Sequence, residues 1–234
     1  MKKYVVFLMV IVGLFLVVMP ANAGVIYSND FENLSDLLTE WSYSSTNTTP
    51  GTAEHPSDRF LGEFGSSGQI SDNVMLTLSG LPVHTMLTIT FDLYCLKSWD
   101  GNGNTIGTGP DEWDLRVFDG PILLHSTFSN EDSYNHQAFP DAFPGGVYTA
   151  GTGALEVDTL GYSFQLLGDS VYRLNFIFPH SLSSVIFEFS SDLTVSNSTN
   201  DETWGIDNVV VTPEPATVLL LGLGGLVLRR KHRA

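Results

Sequence analysis

Residues 86–95 read Met-Leu-Thr-Ile-Thr-Phe-Asp-Leu-Tyr-Cys, and this alternation decides the predicted fold. Successive side chains of a β-strand point to opposite faces of the sheet. One face of this stretch would therefore be apolar, and it would be formed by Leu87, Ile89, Phe91, Leu93 and Cys95. The other face would carry Thr88, Thr90 and Asp92. The pattern predicts a half-buried strand in which Cys95 is a core thiol.

Shorter runs of the same kind occur on both sides of this stretch. Turns rich in Gly, Pro, Asn and Asp separate them, and they cover residues 74–78, 113–118, 122–128, 172–178, 185–189 and 209–211. Many short strands between such turns are typical of an all-β protein. We therefore predict an antiparallel β-sandwich of the jelly-roll type over residues 24–212. Residues 129–161 show no periodicity and predict a long loop or insertion at the rim.

The first 23 residues have the three parts of a secretory signal peptide. Lys2 and Lys3 are basic, residues 5–18 are almost entirely apolar, and Ala21-Asn22-Ala23 forms a small-residue cleavage site. This order predicts export, with the mature chain beginning at Gly24.

The C-terminal residues 213–234 also have three parts in a fixed order. Pro213-Glu214-Pro215 is followed by the uncharged stretch 216–228, and the chain closes with a basic cluster that includes Arg229 and Arg230. This arrangement resembles the PEP-CTERM sorting signal of Gram-negative bacteria. The resemblance implies recognition by exosortase and a short transmembrane helix that anchors the exported chain to the inner membrane before processing. It also implies that the protein ends at the cell surface or in the extracellular matrix, where it is associated with extracellular polysaccharide and biofilm.

The composition excludes several classes of partner and site. The chain has 26 acidic and 10 basic residues and a net charge of −16. Nucleic acid is excluded because binding it requires a basic surface. The single Cys residue excludes an internal disulfide framework and a zinc site of the CxxC type. An acidic exported domain favours calcium, whose preferred ligands are carboxylate oxygens.

Two short motifs near the ends of the predicted domain suggest one calcium site. The sequence Asn-Asp-Phe-Glu covers residues 29–32, and Trp-Gly-Ile-Asp-Asn-Val covers residues 204–209. Together they resemble secreted jelly-roll carbohydrate-binding modules and MAM-like adhesion domains. The resemblance implies that the first and last strands are neighbours and that Asp30, Glu32 and Asp207 bind a structural calcium ion. The alternative is that Asp30 and Asp207 only cap turns.

A second group of oxygen ligands follows the stretch 86–95. Asp100, Asn102, Asn104 and Asp111 have part of the spacing of an EF-hand loop. Thr105 stands where that loop needs Gly, and Asp111 stands where it needs Glu. The segment is therefore either a flexible polar hairpin, which is the simpler interpretation, or a rim loop ordered by a cation.

No catalytic motif is present in the sequence. It contains no G-x-S-x-G elbow, no H-E-x-x-H pair and no P-loop. We therefore expect a non-enzymatic matrix component or carbohydrate-binding module, in which Trp99 and Trp113 are exposed and stack on sugar rings. Trp204, beside the last strand, is expected in the core. The alternative is a glycan-active hydrolase or lyase that uses a carboxylate pair such as Glu112 and Asp114.

Overall fold

The computed structural model describes most of the predicted domain. The described residues are 24–33, 38–46, 49–55, 58–65, 73–103, 109–130, 135–163, 168–194 and 202–214. The predicted signal peptide, Asn104, Pro215, the apolar stretch 216–228, Arg229 and Arg230 lie outside them. Within the described ranges, no helix is long and apolar enough to cross a membrane.

Regular structure in the described part of the chain consists of strands. They are β1 (Tyr27–Asn29), β2 (Trp41–Tyr43), β3 (Thr52–His55), β4 (Asp58–Phe64), β5 (Asn73–Ser79), β6 (Met86–Lys97), β7 (Glu112–Val117), β8 (Ile122–Thr127), β9 (His136–Gln137), β10 (Tyr148–Thr149), β11 (Glu156–Val157), β12 (Asp169–Pro179), β13 (Ser184–Asp192) and β14 (Glu202–Glu214). The predicted strand at 86–95 forms the first ten of the twelve residues of β6.

Two antiparallel sheets pack face to face. The larger sheet has seven strands, in the order β11-β12-β6-β14-β4-β3, with β1 also paired to β14. The smaller sheet has five strands, in the order β2-β5-β13-β7-β8. Across the core, the ring of Phe91 lies 5.8 Å from that of Trp113 and 5.5 Å from that of Phe189. These contacts confirm the predicted antiparallel β-sandwich of the jelly-roll type.

The alternation of β6 has the predicted effect on burial. Its inward residues are fully buried between the sheets, and they are Leu87, Ile89, Phe91, Leu93 and Cys95. Cys95 is a free, buried thiol. Burial raises the pKa of this thiol well above its ordinary value, so that it is an inert core side chain.

The last strand, β14, is interrupted by a β-bulge. One of its edges pairs with β6. The other edge pairs first with β4 and then with β1, which confirms that the first and last strands are neighbours. The bulge lies between Asp207 and Val210, and Asn208 there has a φ of 52°. A bulge adds one residue to a strand. Consequently Ile206 and Val209 both face the core, although they are three positions apart.

The segment 129–161 is mostly irregular, as predicted, and it is fastened to the sandwich by a buried amide. Gln137 is fully buried. Its Nε2 donates to the carbonyls of Phe139 and Thr152, at 3.1 and 2.9 Å. Its Oε1 accepts from the Tyr172 hydroxyl of β12 at 3.1 Å. A buried amide with these partners fixes the segment against the core.

Candidate cation and ligand sites

The predicted calcium site at the first and last strands is not assembled by the three predicted side chains. Asp30 and Glu32 are exposed, whereas Asp207 is only 2% exposed. Between them, Phe31 has a φ of 54° and buries its ring against Trp41 at 5.8 Å. Because Phe31 occupies the core, its two acidic neighbours project into solvent. Glu32 instead accepts a hydrogen bond from the backbone N–H of Arg59 at 2.9 Å.

Three other carboxylates do meet, at one end of the sandwich. Asp100 follows β6, Asp111 precedes β7 and Glu202 begins β14. One carboxylate oxygen of each residue lies within 4.8 Å of the other two. Asp111 and Glu202 are buried, and Asp100 is half-buried. We call these three residues the rim cluster. It is the one group of three or more metal-ligating side chains at this spacing within the described ranges.

The backbone around the rim cluster is tightly held. Asp111 accepts hydrogen bonds from the N–H groups of Asp100 and Thr194, at 2.5 and 3.1 Å. The Nδ2 of Asn135 donates to Asp100 at 2.7 Å. Gly101 has a φ of 64°, and a Cβ there would clash with the backbone carbonyl oxygen of His136. Only Gly permits this close approach, which keeps Asp100 beside Asp111.

The structure thus brings together Asp100 and Asp111 of the four predicted loop ligands and adds Glu202 from elsewhere, while Asn104 lies outside the described residues. The amide of Asn102 accepts from the Thr127 hydroxyl and donates to the Gly146 carbonyl at 2.9 Å, so it fastens the loop to its neighbours. Glu202 was not predicted. It lies far along the chain from Asp100 and Asp111, in a stretch without strand periodicity, so that no sequence signal connects it to them.

The donor set of the rim cluster fits a calcium ion. Calcium binds carboxylate oxygens at about 2.3–2.6 Å, so two ligands on opposite sides of one ion are roughly 4.6–5.2 Å apart. The separations within the rim cluster are all at most 4.8 Å, so one ion could reach all three carboxylates. Backbone carbonyls and water would complete the usual 6–8 oxygen ligands. Two buried carboxylates and a half-buried one at this distance repel one another when all are ionised.

Trp99 and Trp113 are not the exposed sugar platform predicted from the sequence. Both side chains are fully buried, and so is Trp204, whose core position is confirmed. Trp113 points inward from β7, and its ring lies 5.8 Å from that of Trp204. The indole N–H of Trp99 donates to the Thr203 carbonyl at 2.8 Å. These rings fill the core, so the prediction of surface stacking is wrong for both residues.

A second group of buried acidic residues lies on the outer face of the seven-stranded sheet. Asp92 of β6 is paired in register with Asp207 of β14. Arg173 of β12 donates from Nε and Nη2 to both oxygens of Asp92, each at 2.8 Å. The Nδ2 of Asn208 donates to Asp92 at 3.0 Å and to Asp207 at 2.8 Å. We call Asp92, Arg173, Asp207 and Asn208 the face cluster.

Asp207 is the member of the face cluster that titrates near neutral pH. Burial raises the pKa of its carboxyl from 3.8 to about 7, and the nearby charges of Asp58 and Asp92 act in the same direction. Its Oδ2 accepts a hydrogen bond from the Tyr94 hydroxyl at 3.0 Å. Its Oδ1 is buried, and the described part of the chain offers that atom no hydrogen-bond partner. An ionised carboxylate in such a place is poorly solvated, which is why the proton is retained.

The same sheet face also presents exposed side chains of mixed character. The Arg173 side chain is 57% exposed although its guanidinium is held by Asp92. Asn175 is exposed and donates from Nδ2 to the Thr90 hydroxyl at 2.6 Å. Ile177, further along β12, is 61% exposed. β12 therefore carries a guanidinium, an amide and an apolar side chain in a row, and β6 separates it from Asn208 of β14.

Glu112 and Asp114 lie on the outer face of the smaller sheet, around His125. The Nδ1 of His125 is 2.6 Å from Asp114 and 3.9 Å from Glu112. The pKa of Glu112 is raised, first by burial and then by the charges of Asp114 and Asp192, whereas His125 acts in the opposite direction. The two carboxyl groups are therefore neighbours, but Asp114 is close to His125 whereas the pKa of Glu112 is raised by burial.

Comparisons with known proteins identify the tail of the chain. Residues 211–233 match the PEP-CTERM protein-sorting motif, which confirms the predicted sorting signal. No curated protein matches the chain. The motif covers the tail and the last four residues of β14, and the rest of the sandwich lies outside it.

Two solved structures similar to this chain contain carbohydrate-binding modules. One is CBM28, a module specific for non-crystalline cellulose, with 18% identity and a TM-score of 0.40, covering 80% of this chain and 93% of that one. The other contains the CBM22-1 and GH10 modules of Clostridium thermocellum endo-1,4-beta-D-xylanase 10B, complexed with xylohexaose. It has 12% identity and a TM-score of 0.37, covering 81% of this chain and 28% of that one.

Proposed function

We propose that this protein is an exported, non-catalytic β-sandwich that binds an extracellular polysaccharide and is stabilised by calcium. The sorting motif at residues 211–233 supports export and processing by exosortase. The observation that carries the binding proposal is the row of Arg173, Asn175 and Ile177 on the outer face of the seven-stranded sheet.

This row has the chemistry that a sugar chain requires. Guanidinium and amide groups offer several directed hydrogen bonds to hydroxyl groups, and Ile177 offers an apolar surface to the C–H face of a sugar ring. The two charge-assisted bonds to Asp92 hold Arg173 in one orientation. A side chain that is already fixed loses little conformational entropy when a ligand binds, so the face is prepared for binding.

The charge of the chain selects the class of polysaccharide. With a net charge of −16, the protein repels anionic chains at low ionic strength. A neutral polysaccharide encounters no such repulsion, and its hydroxyl groups match the donors of Arg173 and Asn175. We therefore propose a neutral glycan as the ligand.

Affinity electrophoresis through gels that contain soluble neutral polysaccharides tests this proposal. Asn175→Ala and Arg173→Ala should weaken retardation by about tenfold each, the factor for one lost hydrogen bond to a sugar. Arg116→Ala is the matched control, because Arg116 pairs with buried Glu188 at 2.8 Å and is 51% exposed on the other sheet. Equal retardation of all four proteins, or no retardation of any, would contradict the proposed glycan surface.

Calcium binding is proposed for the rim cluster. Removal of Asp111 eliminates one of the three carboxylates, whereas removal of Asp207 changes only the face cluster. Calorimetric titration of calcium into metal-free protein should therefore show one site in the wild type and in Asp207→Asn, and none in Asp111→Asn. Loss of the site in Asp207→Asn with retention in Asp111→Asn would assign the ion to the strand junction instead.

A second candidate function is glycan cleavage at Glu112 and Asp114. Glu112, whose pKa is raised by burial, lies beside Asp114, which is held by His125, and a pair of carboxyl groups is what glycoside hydrolysis uses. Release of reducing ends from the polysaccharides that the protein binds would support it, provided that Glu112→Gln abolishes the release.

A further inference from the structure

The sorting motif and the folded sandwich overlap in the sequence. The motif begins at residue 211, whereas β14 continues to Glu214. Pro213 and Glu214 pair in register with Leu87 and Met86 of β6. The first two residues of the Pro-Glu-Pro tripeptide are therefore the last residues of the seven-stranded sheet.

The positions of the prolines explain how the tripeptide fits into a strand. Val211 accepts a hydrogen bond from the N–H of Ile26, on the β1 side of β14, at 2.9 Å. Glu214 accepts from the N–H of Thr85, on the β6 side, at 3.5 Å. Backbone groups alternate in direction along a strand, so position 213 faces the β1 side, where the paired residues of β1 end at Tyr27. Proline has no N–H to donate and is tolerated where a strand edge is open.

The side chain of Pro213 is also part of the folded domain. Pro213 is buried, as are Val209 and Val211 on the same face of β14. Glu214 is half-buried and pairs in register with Met86, and its carbonyl accepts a hydrogen bond from the Thr85 N–H at the strand end. An enzyme that recognises the tripeptide has to contact Pro213, and the sandwich covers it.

We infer that exosortase must draw Pro213 and Glu214 out of the seven-stranded sheet before it can process the chain. Folding of the sandwich and recognition of the tail then compete for the same residues. Release would begin at Glu214, because the strand end is the least stable part of a sheet. The domain thereby limits how fast its own tail is processed.

Pulse-chase labelling of the full chain in a host with exosortase tests this inference. A six-residue Gly-Ser insertion between Thr212 and Pro213 separates the motif from the strand and should speed processing by roughly tenfold, the factor for one hydrogen bond released. The same insertion between the exposed residues Asp119 and Gly120 is the control and should leave the rate unchanged. Thr85→Pro removes the donor to Glu214 and should also speed processing, whereas Thr85→Ala keeps the donor and should not.

Each alternative result overturns the inference. Unchanged processing after insertion at residue 212 would show that the enzyme acts without releasing the strand, and slower processing would show that it reads the motif on the sheet. Absence of processing in the wild type would remove the premise. Circular dichroism of each purified variant verifies the fold. Binding of glycan or calcium is measured separately, so failure of the proposed function can be distinguished from failure of this inference.

Discussion

The rim cluster and the face cluster both bury carboxylates next to β6 and β14, yet they are balanced in different ways. In the face cluster, Arg173 neutralises Asp92, and Asp207 retains a proton near neutral pH. In the rim cluster, backbone N–H groups and the amide of Asn135 donate to Asp100 and Asp111, and these donors are neutral. The chain itself supplies the counter-charge on the sheet face, and calcium is the counter-charge that we propose at the rim.

Removal of metal should have the largest effect on stability, and this effect should come from the rim cluster. A ligand that binds only the folded protein, at about 100 times its dissociation constant, adds about 2.7 kcal/mol of stability. For a domain of this size we expect excess EDTA to lower the melting temperature of the calcium-saturated protein by roughly 5–10 °C. Differential scanning calorimetry measures this shift. Superimposable curves with and without EDTA, from protein verified to be metal-free, would refute calcium at the rim.

Asp111→Asn should break the rim cluster and leave the face cluster intact. The variant loses a carboxylate ligand, so its melting temperature with calcium should fall to near the EDTA value, by about 2–3 kcal/mol in stability. The EDTA effect should disappear at the same time. Asp207→Asn is the matched control and should keep the full EDTA effect. If Asp111→Asn keeps it as well, Asp111 is not a ligand.

The sandwich could be predicted because strand alternation is local. The inward residues of β6 follow from residues 86–95 alone, and the pairing of β1 with β14 followed from the motifs at the two ends. The buried position of Trp113 could have been deduced in the same way, because it alternates with Leu115 and Val117 along β7. Its aromatic surface suggested a sugar contact, but the strand period determines its direction.

Asp100 and Asp111 were predicted to lie together, but the rest of the two clusters and the exposure of Asp30 and Glu32 could not be predicted, because they depend on irregular backbone. The positive φ of Phe31 sends Asp30 and Glu32 into solvent, and local sequence gives no sign of it. The bulge at Asp207 had one signal, since Ile206 and Val209 are apolar at a spacing of three instead of two. That spacing places Asp207 and Asn208 together on the outer face, away from any ion at the junction.

Asp207 should make the contribution of the face cluster to stability depend on pH. The pKa of Asp207 is raised on folding from 3.8 to about 7, so the protonated form favours the folded state. This contribution is complete below the unfolded pKa and is lost as the pH rises through 7. In EDTA, the free energy of unfolding measured with urea should therefore fall between pH 5 and pH 8, and it should fall more for the wild type than for Asp207→Asn. Parallel pH profiles of the two proteins would show that Asp207 does not titrate in this range.

The smallest expected effect on stability comes from the side-chain amide of Asn208, which donates to both acidic residues of the face cluster. Asn208 has a φ of 52°, which Gly adopts without strain, so Asn208→Gly should preserve the bulge. The variant loses the hydrogen bonds from Nδ2 to Asp92 and Asp207. We expect a loss of about 1 kcal/mol in urea unfolding. Asn208→Ala should lose about 1 kcal/mol more, because a Cβ is strained at positive φ. Equal stability of the two variants would mean that the bulge relaxes, and a fully stable Asn208→Gly would mean that Arg173 alone balances the cluster.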